Sequence, residues 1–171
     1  INRLLIPGML VKRALKGGLP LIAAAKAVRD ELMSPAAPDA GGGAPLAEER
    51  RVVVGMKKTT LAAMGLAMET YGQALEHEQE ALMQLADLVL ETFAAESSVL
   101  RALAATGPTA ALHADAAAVV AHDAGLRAEM GARTLLAGML KGDALRTSLA
   151  GVRRLLKVPP IDTVAARRRI A

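Results

Sequence analysis

In EHEQEALMQLADLVLETFAAESSVLRA, residues Glu76–Ala102, the apolar Leu82, Leu85, Val89 and Phe93 recur every three or four positions. Glu80, Gln84, Asp87 and Glu91 recur with the same rhythm on a second stripe. That is the period of an amphipathic helix, with the first stripe expected inward and the second outward. Working outward, Gly107-Pro108 ends this helix, and a further long helix is expected from about Thr109 to Leu140. In it Leu112, Val119 and Leu126 repeat every seven residues, as do Ala116, Asp123 and Met130, while Asp115, His122 and Glu129 take an outward position. Upstream, a helix is expected from Leu46 to about Leu75, and its uncharged middle, TTLAAMGLAM (Thr59–Met68), reads as buried on most sides.

The ends are more punctuated. Pro7-Gly8 and Gly17-Gly18 mark a short or kinked first helix, and Pro20 opens a second that runs to about Met33. SPAAPDAGGGAP (Ser34–Pro45) reads as a linker. Gly142 ends the long helix and Asp143 is expected to cap the next, which stops near Lys157 ahead of Pro159-Pro160. Asp162 is positioned to cap a last short helix ending in Arg167-Arg168-Arg169. Nothing reads as a strand. The fold class expected is all-α: an antiparallel helical bundle preceded by a helical arm and a flexible linker.

Composition agrees. Apolar residues make up 53% of the 171, yet the aromatics are only Tyr71 and Phe93, so the core must be built from Ala, Leu, Val and Met. With no Cys there is neither a disulfide framework nor a thiol nucleophile. No apolar run approaches the roughly 18 residues of a membrane span, and a cytoplasmic protein is expected. The net charge of +4 is polarised: acids dominate Glu69–Arg101 and bases dominate from Lys141 onward. Such poles suit pairing between copies or with another domain, or solvated helix faces.

The ionisable residues give no active site. Di-iron bundles carry paired Glu-x-x-His motifs, and the residues three before His77, His113 and His122 are Ala74, Ala110 and Val119. Glu76, His77, Glu78 and Glu80 crowd a helix junction without a nucleophile or anion-binding loop, which reads as a solvated turn. Gly41–Gly43 lack the Lys-Ser/Thr of a phosphate loop. Asp123 and Arg127 are spaced for an ion pair along one helix. Leu145, Leu149, Val152 and Leu156 with Arg146, Arg153, Arg154 and Lys157 form a basic amphipathic helix, suited to packing on the bundle or to lying on an anionic membrane. Arg167–Arg169 suit phosphate contacts, without the aromatics or reading helix of a nucleic-acid module. The site residues expected on this chain are none: no catalytic, cofactor-binding or metal-binding group.

The opening INRLLIPGMLVKRALKG (Ile1–Gly17) resembles the segment that follows the Glu-Gly-Thr-x-Glu signature of acyl-CoA dehydrogenases, where a helix begins Ile-x-Arg, as Ile1-Asn2-Arg3 does. Glu76–Ala102 resembles the appended C-terminal helical domain of the very-long-chain branch of that family, through Gln79, Leu85-Ala86-Asp87, Ala94 and Arg101. The resemblance implies an FAD-dependent α,β-dehydrogenation of acyl-CoA in fatty acid β-oxidation, with a Glu base abstracting the α proton and FAD accepting the β hydride. It places that Glu upstream of Ile1, so this segment is expected to be non-catalytic by itself and to bind no FAD. Arg3 is expected to brace its helix. Residues 1–33 would complete the helical domain of the catalytic body, 34–45 would be the linker, and 46–171 would form the appended bundle. The partners implied are the remainder of the chain and a second copy. In the mammalian branch a segment here associates with membrane, whereas Ser34–Pro45 lacks basic and bulky apolar residues. A peripheral membrane module and a nucleic-acid-binding bundle are the alternative readings.

Overall fold

A computed structural model describes residues 2–34 and 43–171. Among the described residues seven α-helices follow in chain order: α1 (Asn2–Leu15), α2 (Leu21–Met33), α3 (Ala47–Tyr71), α4 (Gln79–Ala104), α5 (Ala110–Met139), α6 (Gly142–Leu155) and α7 (Thr163–Ile170). Short 3-10 turns join α3 to α4 and α4 to α5. Among the described residues there is no strand. Of the expected linker, residues 35–42 lie outside the described residues.

Helix breaks follow the glycines. α1 runs through Pro7-Gly8 and stops at Gly17, whose φ of +74° is one that only glycine adopts without strain. Gly17 N–H donates to Ala14 O and Gly18 N–H to Arg13 O at 2.8 Å, a Schellman closure. α3 ends at Tyr71, short of the expected Leu75, because Gly72 turns away at φ +54°. Asp162 caps α7, its carboxylate accepting from Ala165 N–H at 2.9 Å. Asp143 does not cap α6: it sits inside the first turn and pairs with Arg146, while Lys141 takes the cap position without a side-chain bond.

The core lies among α3, α4 and α5. α4 contributes Leu82, Leu85 and Leu88, with Leu85 fully buried. α5 meets them with Ala117, Ala121, Ala124, Ala128 and Ala132, each at most 1% exposed. Small residues on one helix let the larger ones of its neighbour close the gap, which is how a core almost without aromatics reaches interior density. α3 is buried on several sides, as its uncharged middle predicts: no residue from Thr59 to Met68 is exposed. The expected stripes of α4 and α5 need correction. Phe93 is 68% exposed, and buried Leu88 and Thr92 stand where it was expected. Leu112, Leu126 and Met130 also point to solvent. A seam lined by alanines has no room for the larger side chains, so the inward face follows the small residues.

Two close approaches position the end of α6 and the segment after it. A Cβ on Gly55 would lie 2.5 Å from the Leu155 carbonyl oxygen, so the end of α6 sits directly on α3 there. A Cβ on Gly125 would meet Val52 and Val158 at 2.9 Å. α6 stops at Leu155, two residues before the expected end, and turns Leu156 into the core at 3% exposure. α1 and α2 pack on the same body. Arg3 of α1 pairs with Asp87 of α4, Arg29 of α2 pairs with Glu69 of α3, and Ala14 and Leu21 join the core.

Candidate functional site

The ionisable residues singled out in the sequence mostly serve helix docking. Arg127 makes no ion pair with Asp123. It reaches across to α4 and clamps Glu91 through Nε and Nη2 at 2.7 and 2.8 Å, and that bond holds its proton more tightly than usual. Asp123 instead receives Arg167 of α7 and lies 3.1 Å from His122 Nδ1. Arg169 clamps Asp115 at 2.6 and 2.7 Å, and this hydrogen bond draws the Asp115 carboxyl below the usual carboxylate range against the opposing effect of burial. Two of the three tail arginines are therefore held by α5. Glu76 and His77 lie 3.5 Å apart, both exposed, in the turn before α4. Glu69, Asp87, Glu91 and Glu96, from the acidic stretch, all have cationic partners within the chain. Among the described residues no group of three His, Cys, Asp or Glu is placed to hold a metal ion.

The apolar stripe of α6 faces the bundle: Val152 and Leu156 are buried, and Leu145 and Leu149 are half-buried against the core. On its flank Arg154 donates to the carbonyls of Leu32, Glu31 and Ser34 at 2.8, 3.1 and 2.5 Å, closing the C-terminal end of α2.

Between α2, α3 and α6 lies a cleft of about 360 Å³. Its walls are mainly apolar and include Ala62, Ala63, Leu66, Leu136 and Val152. Arg29, Glu69, Thr147, Ser148 and Arg154 supply its polar groups. Thr59 also lines it, but Thr59 Oγ1 is closed off from solvent and has no hydrogen-bond partner among the described residues. Sequence reading missed this cleft. Its one local signal is the run of small residues at Ala62, Gly65, Ala150 and Gly151, which leaves space between helices that larger side chains would fill.

A second feature is apolar surface left uncovered. On α4, Leu90, Phe93 and Leu100 are exposed with helical spacing, and on α1 so are Leu5 and Met9. Among the described residues no helix is long and apolar enough to cross a membrane.

Comparison with known proteins agrees with this all-α architecture. A solved structure described as an acyl-CoA dehydrogenase complexed with FAD, from Bacillus anthracis, superposes with a TM-score of 0.91 at 35% identity, covering 99% of this chain and 29% of that one. A curated protein of Bacillus subtilis (strain 168), described as a probable acyl-CoA dehydrogenase, is 38% identical over 175 residues. The chain spans 29% of that relative's length. The family model described as acyl-CoA dehydrogenase, C-terminal domain, matches residues 55–154, from the middle of α3 to the end of α6. That match takes in more than half of the chain, which therefore belongs to the acyl-CoA dehydrogenase family and carries its C-terminal domain.

Proposed function

We propose that this chain is the helical assembly portion of an FAD-dependent acyl-CoA dehydrogenase, and that the flavin and the catalytic Glu belong to the rest of that enzyme. The observation that carries the reading is the 0.91 superposition of nearly the whole chain on less than a third of an FAD-bound acyl-CoA dehydrogenase. The α2–α3–α6 cleft does not suit FAD. Its walls offer no glycine-rich loop for a diphosphate. On this proposal the chemistry belongs to the rest of the enzyme. The very-long-chain-like branch rests on the Gln79-to-Arg101 pattern, and a cytoplasmic location on the bacterial relatives.

In this reading the two uncovered apolar faces have different partners. Leu5 and Met9 on α1 meet the catalytic body that precedes α1, so residues 1–33 belong to that body while also resting on the appended bundle, 46–171. Leu90, Phe93 and Leu100 on α4 meet a second copy, since apolar side chains so spaced suit an isologous contact. The test is the mass in solution of the enzyme that contains this chain. Leu90→Asp with Phe93→Asp should reduce it to the protomer with its flavin retained. An unchanged oligomer would refute the α4 contact. Against a membrane module stands the inward α6 stripe, and against a nucleic-acid module stand Arg167 and Arg169, held by Asp123 and Asp115.

A further inference from the structure

We propose that the α2–α3–α6 cleft binds one medium-length fatty carboxylate, alkyl chain along the apolar floor and carboxylate at the polar edge. Its volume of about 360 Å³ falls at the small end of ligand sites, and its lining has their usual character: apolar walls with a few polar groups between packed helices. The polar groups suit an anion. Thr147 and Ser148 present hydroxyls that bond to no other described residue. Arg29 is balanced by Glu69, but among the described residues Arg154 is met by carbonyl oxygens and by no carboxylate, which leaves its charge for an anion at the cleft. Exposed Met33 at the cleft is an adaptable side chain of the kind that accepts a flexible alkyl chain. The inference stands apart from the location of the flavin, since it uses only residues of this chain.

The test is calorimetric titration of the full chain with octanoate, decanoate and decanol. Saturable one-to-one binding of decanoate is expected, about sixteenfold tighter than octanoate, from about fourfold per added methylene. Decanol should bind more weakly than decanoate. Ala150→Phe, at an exposed position of the wall, should abolish binding without moving the thermal midpoint. Arg29→Gln and Glu69→Gln both break the same ion pair yet should move decanoate affinity in opposite directions, each about fivefold. No saturable heat with decanoate would overturn the proposal, as would unchanged affinity in Ala150→Phe. Equal affinity for decanol, or Arg29→Gln and Glu69→Gln shifting the same way, would overturn the assignment of the carboxylate.

Discussion

α5 is held on two sides by opposite means. Toward α4 it presents a row of alanines, and Leu85 and Leu88 close on the bundle core with almost no solvent access. Toward α7 it presents Asp115 and Asp123, which hold Arg169 and Arg167, while α7 itself buries only Ala166. One contact is made of shape and excluded water, the other of charge at the surface. The first depends on every methyl group and little on salt or pH. The second tolerates substitution and responds to both.

The largest effect expected from this contrast is at the seam. Leu85→Asp buries a carboxylate without a partner at a fully closed position and should leave no cooperative unfolding transition by circular dichroism. A near-normal transition would show that the seam is misplaced. Next comes the crossing of α3 and α6. Gly55→Ala puts a methyl group against backbone, which cannot move aside as a side chain does, and should cost about 1–3 kcal/mol in denaturant titration. A smaller gain is expected beneath the cleft. Thr59 Oγ1 is buried with no partner among the described residues, so Thr59→Val should stabilise by about 1 kcal/mol, a sign opposite to that of most core substitutions. A loss of stability there would mean that the hydroxyl has a partner.

The smallest effect belongs to the charged side. The depressed Asp115 pKa means that its contribution is present above the ordinary carboxylate pKa and lost as pH falls through the lower folded value, below about pH 4. Hydrogen exchange, corrected for the intrinsic effect of pH, should therefore show α7 loosening in that range before α4 or α5. Asp115→Asn should loosen α7 at neutral pH with the global midpoint nearly unchanged. Simultaneous opening of α7 and the seam would erase the distinction between them.

The same contrast explains what could be read from the sequence. The helix break at Gly17 and the cap at Asp162 were legible because they depend on a few adjacent residues, whereas the stop at Gly72 was not read. The alignment of α5 was not. Large apolar residues usually mark the inward face, but in an alanine-rich helix Ala117, Ala121, Ala124 and Ala128 take it and Leu112, Leu126 and Met130 are turned out. The Asp123–Arg127 pairing failed for a related reason: helix spacing offered a local partner, and the fold supplied Glu91 with two bonds instead of one. The cleft was not legible because it requires the packing of three helices separated in sequence.

The central claim is that the redox chemistry of this family lies outside these helices. Absorption in the flavin bands, measured on the purified 171-residue chain and on the enzyme that contains it, tests that claim most directly. The account predicts stoichiometric flavin on the enzyme and none on the chain alone. Stoichiometric yellow colour in the isolated chain would contradict it.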